Sequence, residues 1–247
     1  MLPTNRSESR YMSEAPEQIT SGVYRVDAGR YSNAISVLLL EEEDGWALVD
    51  TGVGPGSAMR IQEAMAALGA RPSELKHIFL THHDPDHIGG LSAVRWWATE
   101  AAVAASEHEA RVISGDRSPD PYSNSLSHFI AQRQPHPTMP VDRVLHEGDS
   151  VAGFRVIATP GHTLGHASLL RDRDGLLFTA DAFGAFLGVG KIRVGVRKFA
   201  CTDPLGARFS AEKLLREEFT TAIFSHGRPI REGAKQRLSE IVARESY

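Results

Sequence analysis

Between residues 81 and 90 the chain reads Thr-His-His-Asp-Pro-Asp-His-Ile-Gly-Gly, which places five potential metal ligands within the six positions 82–87. The segment follows an apolar run, His77 to Leu80, and precedes a stretch with helical character. Carboxylates buried without partners cost too much, so this group must face solvent, each other or a cation. Imidazole nitrogen and carboxylate oxygen are the usual ligands of Zn²⁺, Mn²⁺ and Fe²⁺. In an irregular loop alternate residues point to one side, so His82, Asp84 and Asp86 can converge, with His87 joining as the helix begins and Pro85 stiffening the turn. A solvated loop with capping aspartates would account for this segment alone. It would not account for three further segments in which an apolar strand ends in a ligand: Val156 to His162, Leu177 to Asp181, and Ala222 to His226. Strand ends at one edge of a sheet bring their loops together, which is how residues far apart in sequence make one site.

The elements that must position these residues follow from hydrophobic pattern and turn signals. Val23 to Asp27, Ala34 to Leu40 and Trp46 to Asp50 read as a strand meander. Ser57 to Leu68, closed by Gly69, reads as a helix. Then come a strand at His77 to Leu80, a helix over about Asp86 to Ala98, a strand at Val103 to Ala105 and a helix at Glu107 to Ile113. Gly115 to Pro140 breaks the pattern with five prolines and one candidate helix near Leu126 to Gln132, and reads as a surface excursion. A second meander follows at Arg143 to His146, Arg155 to Ala158, Ala167 to Leu170 and Leu176 to Thr179. Helices at Ala207 to Glu218 and Gly233 to Ala243 then flank a last strand, Ala222 to Ser225. Two halves, each running from meander to strand-helix alternation, predict an α+β chain of two packed sheets with helices outside, a four-layer sandwich.

Length and composition agree with that reading. The 247 residues are 41% hydrophobic, enough to fill one enzyme-sized domain, taken as residues 22–247 behind a flexible segment 1–21. No apolar run reaches the ~18 residues of a membrane helix, and residues 1–19 lack the apolar centre of a secretory signal. The expectation is a cytoplasmic protein with no membrane partner. The single cysteine, Cys201, excludes an internal disulfide and a cysteine-based zinc site. A net charge of -4, dispersed along the chain, argues against a nucleic-acid partner, the densest basic group being Lys191, Arg193, Arg197 and Lys198. A small-molecule substrate is expected, and oligomeric state is not legible.

Taken together, Asp50-Thr51-Gly52, the His82 to His87 loop, His162, Asp181 and His226 resemble the signature of the metallo-β-lactamase superfamily, in its order and over nearly the whole chain. The resemblance implies the αββα sandwich of that family and a metal-dependent hydrolase working through two divalent cations and a bridging water. It assigns His82, Asp84 and His162 to one metal, Asp86, His87 and His226 to the other, and makes Asp181 the bridge. It also gives Asp86 a catalytic role in orienting the nucleophile or carrying its proton. The family loop usually reads His-x-His-x-Asp-His, whereas here Asp84 replaces the second histidine. The exchange adds a negative charge and a hard oxygen donor, so three carboxylates and a hydroxide would balance two dications. Zinc is expected by family, with manganese or iron favoured more than usual by Asp84. Asp50 and His166 are expected to orient the ligands by hydrogen bonds, while His108, His128, His136 and His146 read as ordinary surface residues and Cys201 as a packed thiol.

Paired cations lower the pKa of bound water from about 15.7 toward neutrality. The expected reaction is therefore hydrolysis of an ester, lactone, thioester or amide-type bond, with Tyr122, Phe129, Phe183, Phe186 and Phe199 as substrate walls. The alternative is an iron-dependent oxidoreductase of the same fold, made credible by Asp84. No Gly-x-Ser-x-Gly elbow points to a serine nucleophile.

Overall fold

Residues 15–124 and 138–245 are described in a computed structural model. The first sheet runs β1 (Glu17–Thr20), β2 (Val23–Asp27), β3 (Ser36–Glu42), β4 (Gly45–Val49), β5 (Leu75–Leu80), β6 (Ala102–Ser106) and β7 (Arg143–Leu145), in that spatial order. Its first four strands form an antiparallel meander, and β4 to β7 are parallel. The second sheet has β14 (Thr221–Ile223), β11 (Leu176–Phe178), β10 (Ala167–Arg171), β9 (Phe154–Ala158) and β8 (Ser150–Val151) in that order. A short pair, β12 (Phe183–Gly184) with β13 (Arg193–Val194), stands apart.

Strand alternation explains why the two sheets stack. Leu38, Leu40, Val49 and Phe79 turn one face of the first sheet toward Phe154, Val156, Leu169 and Phe178 of the second, making the central core. Their alternates face outward and need helices. Leu39, Leu48 and Ile78 pack against α1 (Pro55–Ala67), α3 (Leu91–Trp97) and α4 (Glu107–Ile113) through Ile61, Met65, Leu91, Val94 and Ile113. Ile157, Leu170 and Leu177 pack against α5 (Pro204–Leu214) and α6 (Ala234–Arg244) through Ala211, Leu214, Leu238 and Val242. The result is the four-layer αββα sandwich. Among the described residues no helix is long and apolar enough to cross a membrane.

Three expectations change in detail. The segment expected to be flexible through residue 21 contributes β1, whose Glu17 and Gln18 pair with Arg25 and Tyr24. The helix expected over Asp86 to Ala98 is two, α2 (Pro85–Ile88) and α3, broken at Gly89 and Gly90. A side chain at Gly89 would collide with the Val53 carbonyl, so the break lets the ligand loop lie against the loop after β4. The helix expected over Ser57 to Leu68 runs Pro55–Ala67 and buries Ala58, Ile61, Ala64 and Met65. The candidate helix near Leu126 to Gln132 lies outside the described residues.

Candidate metal centre

Strand direction gathers the site at one edge. β4 and β5 are parallel neighbours in the first sheet, and β11 and β14 are parallel neighbours in the second. β9 runs the same way as β11, since both are antiparallel to the intervening β10. Asp50 follows β4, His82 follows β5, His162 comes four residues after β9, and Asp181 and His226 come three residues after β11 and β14. All five are buried.

The imidazoles are oriented so that each presents Nε2 to a common centre. Asp50 sits beneath them: it accepts from the Thr81 amide at 2.9 Å, from the Thr81 hydroxyl at 2.8 Å and from His87 Nδ1 at 2.8 Å. The Thr81 hydroxyl, having donated to Asp50, accepts from His82 Nδ1 at 3.0 Å. His226 Nδ1 donates to the Ala34 carbonyl at 2.5 Å. Each of these bonds holds the Nδ1 proton in place and leaves Nε2 as the atom turned toward a cation. His166 holds the remaining member, because its Nε2 accepts from the Asp181 backbone amide at 3.0 Å while Nδ1 pairs with Thr159 at 2.8 Å.

The converging atoms fall into two groups, His82, His162 and Asp181, and Asp86, His87 and His226, with ligand atoms in each within 4.8 Å of one another. Asp84 belongs beside the first, its Oδ2 lying 3.1 Å from His162 Nε2 and 3.7 Å from His82 Nε2. Asp181 spans both, with Oδ2 at 3.5 Å from His162 and 3.2 Å from His226, and Oδ1 at 3.6 Å from His87. His82 Nε2, His87 Nε2 and Asp181 Oδ1 are buried with no hydrogen-bond partner. Buried polar atoms are rarely left so, and a cation at each group would satisfy them. The residues therefore fit two divalent ions.

Protonation in the cluster agrees. Burial alone would raise the pKa of Asp84, but the hydrogen bond and charge of His162 hold it at about 2. Burial would likewise raise Asp181, yet His226 and His87 outweigh it and keep this carboxyl well below the usual range. In return, and against burial, Asp181 and Asp86 push His226 up to about 10, and His87 and His162 also rise. Burial, with repulsion from neighbouring imidazoles, lowers His82 and holds His166 at about 3. A dication entering the site must displace protons from His87, His162 and His226, so metal affinity rises with pH. Calorimetric titration of the chelator-stripped protein with Zn²⁺ near pH 7, in buffers of different ionisation enthalpy, should show two ions bound per chain with net proton release. A stoichiometry of one at saturating metal would overturn the paired reading.

Above the cluster opens a cavity of about 560 Å³ lined by Asp84, Asp86, His162, Asp181 and His226 at its base, with Tyr31, Ile35, Val53, Tyr122, Phe186, Leu187 and Phe199 among its mainly apolar walls. Of the expected substrate walls, Tyr122, Phe186 and Phe199 line it, and the Tyr122 hydroxyl hydrogen-bonds Asp84. Phe183 does not: it is fully buried in the core under α5 and α6, as the alternation of the short strand β12 dictates. Phe129 lies outside the described residues, as do His128 and His136. Cys201 is buried, its thiol directed at the Gly195 and Arg197 carbonyls, both at 3.4 Å, and it also hydrogen-bonds His162, a contact the reading of a simply packed thiol did not foresee.

Sequence reading missed a second buried cluster behind the ligand loop. His83, one position before the family's second histidine, has Nδ1 2.6 Å from Glu109 Oε2, and its Nε2 accepts from the Asp120 amide at 3.2 Å. Glu109 Oε1 also accepts from the Thr163 hydroxyl at 2.7 Å and the Gly165 amide at 3.1 Å. Asp120 accepts from His108 Nε2 at 2.9 Å and from the Leu164 amide at 2.7 Å. His108 is therefore no ordinary surface residue. A Cβ on Gly165 would lie 2.7 Å from Glu109 Oε1, so glycine is needed for this approach. The only signal in the sequence was the acid pair flanking His108.

An αββα sandwich with paired His/Asp clusters at the edge of its sheets defines a class, the metal-dependent hydrolases of one fold. The profile of the metallo-beta-lactamase superfamily matches residues 31–219, and the chain belongs to that superfamily. Protein YobT of Bacillus subtilis strain 168 is 31% identical, over 74% of this chain and 75% of that protein. A hydroxyacylglutathione hydrolase of Cereibacter sphaeroides strain ATCC 17025 is 31% identical over 65% of this chain and 55% of its own length. The chain thus spans about half the length of the hydroxyacylglutathione hydrolases it matches. Among solved structures, a metallo-beta-lactamase family protein of Thermus thermophilus superposes with TM-score 0.66 at 25% identity, over 92% of this chain and 80% of that one. A Cronobacter sakazakii metallo-beta-lactamase with a HARLDQ motif gives 0.65 at 25%, over 89% and 80%.

Proposed function

We propose that the protein hydrolyses an acyl thioester or ester with an apolar acyl group, and that His82, Asp84, His162, Asp86, His87, His226 and Asp181 would hold the pair of divalent cations this chemistry uses. The observation that carries this reading is the position of both ligand groups at the base of one apolar-walled cavity. Cations bound there supply Lewis acidity and water activated near neutral pH. The chain's own residues do the rest. Asp86, 40% exposed while the other carboxylates are buried, faces the cavity and is anchored to His226 Nε2 at 3.2 Å, so its carboxylate can take the proton of the attacking water. Tyr122, held against Asp84, puts a hydroxyl beside the reacting group. Phe186 and Phe199, edge to face with centroids 5.9 Å apart, receive the apolar portion and exclude water. The similarity to hydroxyacylglutathione hydrolases supports an acyl thioester as one substrate type.

The test is a hydrolysis panel on protein reconstituted separately with Zn²⁺, Mn²⁺ and Fe²⁺, using thioesters, esters, lactones, phosphodiesters and β-lactams. Acyl thioesters and esters should turn over in a metal-dependent way. Turnover of none of the acyl substrates, or metal-dependent dioxygen uptake in their place, would sink the proposal in favour of an oxidoreductase.

Asp84 gives a prediction independent of substrate. Asp84→His exchanges a charged oxygen donor for a neutral nitrogen donor, so selectivity should shift toward Zn²⁺ over Mn²⁺ by roughly tenfold or more. Paired-metal competition on wild type and variant measures it. Unchanged selectivity at full occupancy would show that Asp84 is not a ligand.

A further inference from the structure

The densest basic segment of the sequence has no role in the metal centre, yet it is built into the molecule beside it. Two cavities of about 410 and 530 Å³ lie between the β13 region and α6, and they are contiguous, sharing Arg193, Arg244 and Glu245. Six basic side chains line them, Lys191, Arg193, Arg197, Lys198, Arg237 and Arg244, against two acidic ones, Glu240 and Glu245. In a chain whose net charge is -4, this is a local reversal of sign. Glu240 is spent on Arg244 at 3.1 Å, and Glu245 lies 3.8 Å from Arg193.

The groove adjoins the reaction cavity through a single layer of side chains. Phe199 lines both. The Arg197 guanidinium stands 4.3 Å from the centroid of Phe186 and 5.5 Å from that of Phe199, the two aromatic walls of the metal cavity. That stacking holds the planar guanidinium in place by cation-π attraction without using up its N–H donors. One stack thus divides an apolar chamber over the metal site from a cationic groove beyond it.

We infer that the groove binds the anionic arm of the substrate's leaving group, so that the substrate is an acyl thioester whose thiol is carried on a phosphate-bearing arm. The acyl chain lies against Phe186 and Phe199, the thioester carbonyl over the ligand cluster, and the phosphates among Arg193, Arg197, Lys198 and Arg244. Several guanidinium groups spread over two joined cavities match several phosphates better than one carboxylate. The reaction balances as hydrolysis: one water is consumed, the carbonyl carbon exchanges its C–S bond for a C–O bond, and an acid and a thiol leave. This inference rests on the thioester reading of the metal site, and two measurements separate them.

The first is binding alone. Desulfo-coenzyme A carries the phosphates without a thiol that could ligate metal, and calorimetry on the full chain at low salt should show micromolar affinity. Arg193→Glu and Arg244→Glu should each weaken it by roughly tenfold or more, and added salt should weaken it in wild type. The second is the ratio of kcat/KM for octanoyl-coenzyme A to that for S-octanoyl-N-acetylcysteamine, the same thioester without phosphates, on the metal-loaded protein. Wild type should favour the phosphorylated substrate by at least about tenfold. Each glutamate variant should bring the ratio close to one, while Lys76→Glu, at the opposite end of β5, should keep it. Absence of desulfo-coenzyme A binding, or equal use of the two thioesters by wild type, would overturn the inference. So would binding to anionic phospholipid vesicles with no preference between the thioesters. Binding of the carrier with hydrolysis of neither thioester would overturn the thioesterase reading and leave the groove standing.

Discussion

Asp181→Ala should lower kcat/KM on any hydrolysed substrate by on the order of 10³-fold, comparable to removing a principal electrostatic group from an active site. It should also release metal. Among the described residues no other carboxylate lies against imidazoles of both ligand groups: Asp181 is 3.2 to 3.6 Å from His162, His226 and His87 and is itself buried. With alanine there, a cation in either group loses an anionic donor, and two cations lose the charge between them. The fold should tolerate the change, because His87 and His226 owe much of their raised pKa to Asp181 and can become neutral without it. Elemental analysis after dialysis, with thermal unfolding of the chelated protein as control, separates loss of metal from loss of fold. Retention of two ions per chain by a folded, inactive Asp181→Ala would remove Asp181 from the bridging position.

What the sequence revealed depended on how far each feature is encoded locally. The ligand loop was legible because carboxylates and imidazoles at such density have few other uses, and because each later ligand follows an apolar strand. The four layers were legible because β3, β5 and β9 carry apolar residues on both faces, and a strand buried on both sides needs a sheet beyond one face and helices beyond the other. β1 and β8 were not, since a four-residue strand with Ile19 as its one apolar residue, or a strand of two residues, carries no alternation to read. Phe183 was misplaced because aromatic character near a site does not say which way a two-residue strand turns its side chain. Arg30, Tyr31 and Val53 became cavity walls only when the loops after β2 and β4 folded over the edge, a consequence of tertiary packing with no local signal.

The same limit hid Glu109, and its removal is expected to have the largest effect on stability. Glu109 is fully buried on α4 and accepts three hydrogen bonds, from His83, Thr163 and Gly165. Those donors belong to two different ligand loops: His83 lies between His82 and Asp84, and Thr163 follows His162. Glu109 therefore clamps both loops from behind the metal centre. Glu109→Ala leaves three donors facing a void, each worth ~1–3 kcal/mol when unsatisfied and buried. Their sum will not be fully realised, and a loss of about 3–5 kcal/mol, as for breaking a buried charged pair, is expected. Metal affinity should fall by roughly 10- to 100-fold, as when partners that orient ligands are lost. Glu109→Gln distinguishes a clamp from mere filling of space. Its amide oxygen can accept from Thr163 and Gly165, but its NH₂ then meets the N–H of His83 Nδ1. Moving that proton to Nε2 relieves the clash only by facing the Asp120 amide with a second donor. Gln should thus fall between wild type and Ala in stability, despite near-identical volume. Denaturant unfolding of the metal-free proteins isolates the fold from the cations, and a midpoint for Glu109→Ala equal to wild type would show that the two loops are held by something else.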